Sequence, residues 1–283
     1  MTVKLSLIIS TYNRPDALEL VLKSVARQNL AKVADNSEIE VLIADDGSKS
    51  DTAELVAKFQ QNFPFRLIHV WHEDNGFRLA AIRNLAVSHS QGHYLVFIDG
   101  DCLIAPDFIS KQLLLAESGY FVGGNRVLLS EKYTQQIIAH KDISISALGI
   151  MKSFIGKFTG KINKFFPRLP LTLNTAWRKR NETNWRRPKG CNMALWRKDL
   201  LIVNGFDESF CGWGHEDADF LVRLLHAGIR IKDGRFAVPV FHLWHKMNDR
   251  SQEKENIARL QLRIDNPQLI RAESGIERYF AKR

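Results

Sequence analysis

Apolar positions in the first hundred residues alternate between two patterns along the chain. Compact apolar runs predict buried strands at Lys4–Ser10, Ile39–Ala44, Phe65–Val70 and His93–Ile98. Between them, helical spacing predicts helices at Ala17–Gln28, Asp51–Gln61 and Leu79–Ser90. Strands separated by helices of this length indicate a parallel sheet with right-handed crossovers. The predicted fold class is therefore α/β, with a mostly parallel central sheet flanked by helices.

Polar clusters follow three of the predicted strands, at the points where those strands end. They are Thr11–Arg14, Asp45–Ser48 and Asp99–Asp101. In an open parallel sheet, ligands bind beyond the carboxyl ends of the strands. We therefore expect these three clusters to line one site.

The alternation breaks down at about residue 142, where a basic segment begins. Residues 152–189 contain eleven Lys or Arg and a single acid, Glu182. Apolar residues recur among them at close to helical spacing: Ile150, Met151, Phe154, Ile155, Phe158, Ile162, Phe165 and Phe166. Such a basic amphipathic helix suits an anionic membrane surface. A helix packed on the domain, with a solvated basic face, is the alternative.

Regular patterns resume at Gly190. Asn192–Trp196 predicts a strand, Lys198–Val203 and Glu216–Ala227 predict helices, and Arg230–Phe241 predicts one or two strands. The charged tail from Asp249 onward is predicted to be helical. We divide the chain into a first α/β half (1–125), a basic, partly amphipathic insert (126–189), a second half (190–250) and a C-terminal helical tail (251–283).

Charge and cysteine content narrow the choice of partner and compartment. The net charge of +9 and a pI near 9.5 favour acidic partners, which include nucleic acid, anionic lipid and phosphorylated substrates. Three scattered cysteines among 283 residues indicate a reducing compartment. No stretch approaches the roughly 20 apolar residues of a membrane span, and the N-terminus resembles a first strand and not a signal peptide. A cytoplasmic protein is therefore expected.

Asp99 and Asp101 are the first candidates for chemistry. Two carboxylates at this spacing after a buried strand can face one site, because Gly100 permits a turn between them. Hard divalent cations such as Mg²⁺ or Mn²⁺ take oxygen ligands and share them with substrate phosphates. The same triplet also fits an ordinary acidic turn.

A second cluster precedes the predicted helix that starts at Glu216. Trp213, between two glycines, offers a flat apolar face for a sugar ring, and Glu216 and Asp217 fall in the first helical turn. The helix N-terminus favours the ionised carboxylates, which suits a group that accepts a proton. Simple capping of the helix by acids is the alternative.

Two further motifs offer metal or phosphate ligands. His242 and His245, three residues apart after a predicted strand, could complete a metal site with an Asp. Arg83 could bind a diphosphate through forked hydrogen bonds. The alternatives are histidines whose hydrogen bonds are satisfied within the protein and an arginine on the surface of a helix.

Taken together, these motifs resemble those of family 2 glycosyltransferases with the GT-A fold, a Rossmann-like nucleotide-binding architecture. They appear in the family's order: Ile9–Pro15, Asp45–Ser48, Arg83-Asn84, Asp99–Asp101 and Gly212–Asp217. The stretch from Asn204 to Asp217 is similar to the C-terminal module shared by β-1,4-galactosyltransferases and bacterial chondroitin-type polymerases. The resemblance covers about residues 3–250. It implies that 1–125 is the nucleotide-sugar-binding half and 190–250 the acceptor-binding and catalytic half.

The resemblance implies roles for the donor side of the site. Thr11 and Arg14 would flank the nucleotide, and Asp46 would contact the uracil or ribose. Arg83 would lie near the nucleotide or diphosphate, and Asp99 would contact the ribose.

It also implies roles for the sugar and acceptor side. Gly190 would begin the donor-sugar segment, and Trp213 would form the floor of the acceptor site. Glu216 would hold acceptor hydroxyls, and Asp217 would be the general base. His215 stands where relatives carry the second Gly of Trp-Gly-Gly-Glu-Asp.

Asp101 would bind the metal, Mn²⁺ or Mg²⁺, directly. His242 and His245 occupy the place of a Met-x-x-His pair, so His245 is the expected ligand and His242 a departure from the family pattern.

The function predicted is inverting, metal-dependent transfer of a hexose or N-acetylhexosamine. The donor would be a nucleotide sugar, expected to be UDP-linked, and the acceptor a glycan or lipid-linked saccharide. The setting expected is bacterial surface polysaccharide or lipopolysaccharide synthesis, with the protein peripheral at the inner face of the inner membrane.

Three other classes compete. A nicotinamide dehydrogenase would need a Gly-x-Gly-x-x-Gly motif after the first strand, where Ser10–Arg14 stands instead. A basic protein that binds nucleic acid or anionic membrane without catalysis would explain the charge but not the acidic motifs. An inactive sugar-binding scaffold would retain every motif. We expect no nucleic-acid partner.

Overall fold

A seven-stranded sheet forms the centre of the fold in the computed structural model, which describes residues 4–30, 33–147, 149–169, 173, 175–246 and 249–281. The strands are β1 Leu5–Thr11, β2 Ile39–Asp45, β3 Arg66–Trp71, β4 Tyr94–Asp99, β5 Cys102–Ile104, β6 Tyr120–Gly123, β7 Arg126–Leu128, β8 Asn192–Trp196, β9 Arg230–Asp233 and β10 Val240–His242. The helices are α1 Pro15–Ala26, α2 Ser50–Gln60, α3 Leu79–His89, α4 Phe108–Leu115, α5 Glu131–His140, α6 Ile150–Phe158, α7 Arg197–Ile202, α8 Glu216–His226, α9 Glu253–Asp265 and α10 Glu277–Phe280. Short 3₁₀ segments lie at Asn36–Glu38, Ser144–Ala147 and Ala176–Lys179.

The central sheet has the strand order β3-β2-β1-β4-β8-β6-β9. β3, β2, β1 and β4 are parallel, as predicted, and β9 is parallel to β6. β8 runs antiparallel between β4 and β6, which joins the part of the chain after Gly190 to the first hundred residues. The α/β class and the mostly parallel sheet are confirmed.

Helices cover both faces of this sheet. β1, β2 and the apolar part of β4 are buried, which explains why their sequences are nearly continuous apolar runs. Alternate residues of β1 enter two separate cores: Leu7 packs in the core that includes α1, and Ile8 packs in the core that includes α3 and α8.

A second, three-stranded sheet has the order β5-β10-β7. β10 pairs antiparallel with β5, so that His242 lies opposite Cys102, and the Leu243 N–H donates to the Asp101 carbonyl oxygen at 2.9 Å. This small sheet therefore carries the histidine motif to the end of β4. The segment predicted as one or two strands, Arg230–Phe241, forms two strands in different sheets.

The basic segment differs from the single amphipathic helix predicted for it. α6 ends at Phe158, and the chain then turns through Gly160, which has a φ of +69°. Ile162 is buried and forms a β-bridge with Leu129. The prediction that the helix continues past residue 158 is therefore wrong. The division of the chain into four segments by sequence remains a prediction.

An aromatic cluster nevertheless stays at the surface here. Phe154, Phe158, Phe165 and Phe166 contact one another, with ring centroids 4.7–6.3 Å apart, and each is 40–70% exposed. Among the described residues, none of the helices has the length and apolar character needed to span a bilayer.

Two helices, α9 and α10, lie in the C-terminal tail, and α9 packs against α8. Arg263 lies between two buried carboxylates, 3.0 Å from Asp207 and 3.1 Å from Asp219. Asp219 also pairs with Arg223 at 2.7 Å. The tail therefore anchors the helix whose first turn carries Glu216 and Asp217.

We expect Arg263→Met to lower the free energy of unfolding by about 3–5 kcal/mol, because it leaves Asp207 buried without its cation. Urea denaturation followed by circular dichroism measures the change. Arg259→Met is the matched control on the same helix, since Arg259 pairs with Glu255 at an exposed position. We expect it to cost less than about 1 kcal/mol. Equal losses in the two variants would contradict the anchoring role.

Candidate active site

The ends of β1, β2 and β4 bring the predicted donor-side residues to one edge of the sheet. The Asp46 N–H donates to the Thr11 carbonyl oxygen at 3.0 Å, and the Gly100 N–H donates to the Ser10 carbonyl oxygen at 2.7 Å. Thr11 is buried, and its hydroxyl has no hydrogen-bond partner among the described residues. A buried unsatisfied hydroxyl at a site edge is a group that a ligand can satisfy.

The Asp46 carboxylate is held by two protein groups. His72 Nε2 lies 2.6 Å from its Oδ1, and the Arg78 N–H donates to its Oδ2 at 2.9 Å. Arg14 lies at the same edge, but its guanidinium donates to Asp16 at 2.9 Å. His69 lies within β3, beside Asp45, and His72 follows β3. The sequence patterns do not single out either histidine.

Arg83 lies at the centre of the site. It is 1% exposed, which rules out the surface arginine considered above. Its guanidinium donates to the Ser10 hydroxyl at 3.2 Å and to the Asp99 carboxylate at 3.1 Å. Nη1 lies 3.7 Å from Glu216 Oε1. Arg83 thus connects the donor side of the site with the first turn of α8.

Asp217 is held in place by two backbone groups. The Gly190 N–H donates to its Oδ2 and the Ala218 N–H to its Oδ1, both at 2.7 Å. A carboxylate has about four lone-pair positions, so it can still accept a hydrogen bond from a substrate hydroxyl. Its position in the first turn of α8 also places it in the favourable field of the helix N-terminus.

The absence of a side chain at Gly190 leaves room for this contact. A Cβ at this position would lie 3.0 Å from both the Cβ and Oδ2 of Asp217. With a side chain there, the Asp217 side chain would have to move by a few tenths of an ångström. The predicted donor-sugar segment and the predicted base are therefore in direct contact.

Glu216 is buried next to Asp217. Burial raises the pKa of Glu216 to about 7, and the charges of Asp217 and Asp99 add to the increase, while Arg83 opposes it. Burial also raises the pKa of Asp99, and Arg83 again opposes the change. Asp99 and Glu216 thus share the buried Arg83 guanidinium, and Asp217 adds a third negative charge next to Glu216.

Asp101 and the two histidines come together at the end of β4. Nε2 of His242 lies 3.6 Å from Asp101 Oδ1, and Nε2 of His245 lies 3.5 Å from Oδ2. The Cys102 thiol also lies within this cluster, and burial raises its pKa. A carboxylate with two imidazoles fits a divalent transition metal such as Mn²⁺ better than Mg²⁺, which prefers oxygen ligands alone.

The loop before α8 presents Trp213 at the surface of the site. The Arg250 guanidinium lies 4.4 Å from the centre of the indole, over one face. His215 has a φ of +73°, in the left-handed region that favours glycine. This conformation explains why a Gly is usual at that place in the resembling motifs.

Comparison with known proteins shows the family of the chain. The sequence profile of Glycosyl transferase family 2 matches residues 6–183, and the profile described as the N-terminal domain of galactosyltransferase matches residues 175–246. Chondroitin synthase of Escherichia coli is 29% identical over 231 residues, which are 79% of this chain and 32% of that protein. Validoxylamine A glucosyltransferase of Streptomyces hygroscopicus subsp. limoneus is 30% identical over 228 residues, 80% of this chain and 48% of that protein. The chain thus spans about a third to a half of these relatives.

Solved structures show the same architecture. TarS of S. aureus (residues 1–349), in complex with UDP-GlcNAc, superposes with a TM-score of 0.62 at 16% identity, covering 93% of this chain and 67% of that one. The mannosyltransferase PcManGT from Pyrobaculum calidifontis, in complex with GDP-Man and Mn²⁺, gives a TM-score of 0.57 at 17% identity, covering 93% and 63%. These likenesses confirm the predicted GT-A fold. Because the family profile covers more than half of the sequence, the chain belongs to Glycosyl transferase family 2.

Proposed function

We propose that the protein transfers a hexose or N-acetylhexosamine from a nucleotide sugar to a saccharide hydroxyl, with inversion at the anomeric carbon. The observation that carries this proposal is the position of Asp217, beside Gly190 and Glu216 and connected through Arg83 to Asp99. A base next to a donor-sugar segment is what a single displacement needs. UDP is the proposed nucleotide, since one solved structure of this fold holds UDP-GlcNAc. GDP stays a second candidate, since another holds GDP-Man.

In this mechanism Asp217 accepts the proton of the acceptor hydroxyl as the hydroxyl attacks the anomeric carbon from the face opposite the leaving group. The two backbone N–H donors keep the Asp217 carboxylate oriented for this step. Arg83 and Asp99 position the nucleotide diphosphate and ribose, and Trp213 supports the acceptor ring.

Asp101, His242 and His245 would hold the divalent cation. When bound, that cation supplies charge neutralisation for the departing nucleoside diphosphate. His245 is 32% exposed on its side chain and His242 is 11% exposed, so His245 can adjust more easily to a bound diphosphate.

Binding of nucleotide sugars tests the donor assignment. A ligand that binds only the folded state raises the melting temperature, and the increase grows with the ratio of the ligand concentration to Kd. We expect one or more of UDP-glucose, UDP-galactose, UDP-GlcNAc, UDP-GalNAc and GDP-mannose to stabilise the protein with Mn²⁺ present, and to do so less without it. Stabilisation by duplex DNA, with none by any nucleotide sugar, would favour the competing nucleic-acid-binding function.

The pKa of Glu216 gives a pH dependence for transfer. Since the folded pKa of about 7 lies above the usual 4.5, Glu216 becomes protonated as the pH falls below about 7. Protonated Glu216 loses acceptor capacity for substrate hydroxyls, so we expect kcat/KM to rise through about pH 7. In Glu216→Gln, kcat/KM should be lower than in the wild-type protein and should no longer change with pH over this range. An unchanged rise in that variant would assign the pH dependence to another group.

The acceptor is proposed to be a glycan or lipid-linked saccharide of a bacterial surface polysaccharide or lipopolysaccharide, reached at the inner face of the inner membrane. Support comes from the exposed cluster of Phe154, Phe158, Phe165 and Phe166, with Lys157 5.6 Å from the Phe165 ring centre. Exposed aromatic side chains among lysines suit the boundary between anionic headgroups and acyl chains.

Sedimentation with vesicles of phosphatidylglycerol and phosphatidylethanolamine tests this membrane contact. We expect binding to fall at least tenfold in Met151→Ser/Phe158→Ser, which removes side chains that are 72% and 70% exposed. Ile257→Ser/Leu262→Ser is the control, since both residues are exposed on α9. A wild-type protein that stays in the supernatant with these vesicles would exclude the membrane contact.

A further inference from the structure

A cavity of about 340 Å³ lies beside the candidate active site, between the end of β6 and the segment that leads into Gly190. Gly123 and Gly124 form one wall, and Pro188 and Lys189 form part of another. The volume falls within the range of small-molecule sites in proteins. Six cations line it: Arg126, Lys164, Arg178, Arg187, Lys189 and Arg235.

Negative charge in the cavity wall is scarce and already engaged. Asp233 is the single carboxylate among the described lining residues. It pairs with Arg235 at 2.8 Å and lies 4.0 Å from Arg187. Arg178 donates to the backbone carbonyl of Asp233 at 2.7 Å, which uses part of its capacity without cancelling its charge. The cavity therefore carries a large excess of positive charge.

Two of the cations are half-buried and have no ion-pair partner in the part of the chain that the structure describes. They are Arg126 and Lys164. Burial lowers the pKa of Lys164, and the nearby Arg235 and Arg126 lower it further. Half-buried cations that repel one another are unfavourable until an anion enters between them.

The cavity adjoins the reacting groups. Lys189 immediately precedes Gly190, whose N–H binds Asp217 at 2.7 Å. The Gly124 N–H donates to the Asn192 carbonyl oxygen at 3.0 Å, which ties the cavity wall to β8. The cavity lining therefore includes the residue next to the backbone group that holds Asp217.

We propose that this cavity binds a carboxylate or phosphate carried by a sugar substrate, with Arg126 and Lys164 as its principal ligands. The proposal rests on the function proposed above and narrows the substrate to an anionic sugar. The anionic group could belong to the donor sugar, as in a uronate, or to the acceptor saccharide.

Paired ligands that differ in one charged group distinguish the two sources. For the donor, we compare UDP-glucuronate with UDP-glucose in the presence of Mn²⁺ by calorimetry. For the acceptor, we compare glucose 6-phosphate and methyl glucuronide with methyl glucoside, with UDP and Mn²⁺ already bound. A charge-assisted hydrogen bond contributes about 1.5–3 kcal/mol, so we expect the anionic member of one pair to bind about 10- to 100-fold more tightly.

The variant Arg126→Gln/Lys164→Gln tests the assigned ligands. We expect it to reduce the preference for the anionic member to about twofold or less while leaving the affinity for UDP within about threefold. Lys58→Gln/Lys152→Gln removes the same charge from exposed positions on α2 and α6, and we expect it to keep the preference.

Equal affinity within each pair for the wild-type protein would overturn the proposal, as would a preference that survives Arg126→Gln/Lys164→Gln. If anionic sugars bind with the expected preference but UDP does not bind, the cavity assignment stands and the proposed transferase function fails.

Discussion

Sugar transfer by the Asp217→Asn variant is expected to be about 10²–10⁴-fold slower than by the wild-type protein, the range over which a general base contributes. The amide has no basic oxygen to accept the acceptor proton. One end of the amide must also place an NH₂ group against a backbone N–H, either that of Gly190 or that of Ala218, which both donate to the carboxylate. The rate of UDP release measures the loss.

Measurement of donor binding by Asp217→Asn distinguishes loss of the general base from disruption of the donor site. Arg83, Asp99 and Asp101 are unchanged in the variant, so the Kd for UDP with Mn²⁺ should stay within about threefold of the wild-type value. Asp217→Glu serves as a second variant that keeps a base but moves it by one methylene, and we expect intermediate activity. Near-normal turnover by Asp217→Asn would show that the base is a different group.

The Asp101→Asn variant is expected to lose metal-dependent activity, with a rate decrease of about 10³-fold or more. Asp101 is the carboxylate that lies between the two histidines, at 3.6 Å from His242 and 3.5 Å from His245. Its removal takes the negative charge from the ligand set, and neutral imidazoles alone bind Mn²⁺ weakly. Mn²⁺ titration in the presence of UDP, followed by electron paramagnetic resonance, measures the affinity.

A surface carboxylate gives the control for this experiment. Asp51 lies exposed in the first turn of α2, and Asp51→Asn should leave both Mn²⁺ affinity and activity unchanged. If Asp101→Asn bound Mn²⁺ as tightly as the wild-type protein, the metal assignment would be contradicted.

The first half of the fold was predictable because β1, β2 and the apolar part of β4 are buried on both faces. Burial of this kind requires uninterrupted apolar runs such as Leu7-Ile8-Ile9, and the polar residues that follow them mark the ligand edge of the sheet. The same local signals located Asp99, Asp101 and Asp217, since all three stand at the start or end of a regular element.

Contacts between distant segments were not predictable from local patterns. The pairing of β8 between β4 and β6 and the hydrogen bond from Gly190 to Asp217 depend on how the chain returns to the sheet. The ion pairs of Arg263 could not be predicted from local sequence, because its two partners, Asp207 and Asp219, are 56 and 44 residues away. Beyond Phe158 the structure departs from the predicted helix, because helical spacing in the sequence cannot reveal that Ile162 turns into the core.

Release of UDP from nucleotide sugars is the most direct test of the central claim that this site performs metal-dependent sugar transfer. The wild-type protein, Asp217→Asn and Asp101→Asn are incubated with each sugar and Mn²⁺, and UDP is quantified over time with water or a saccharide mixture as acceptor. We expect release by the wild-type protein from at least one donor, bound but unreacted donor in Asp217→Asn, and neither metal-dependent binding nor release in Asp101→Asn. Equal release by all three proteins, or release that chelation of the metal leaves unchanged, would contradict it.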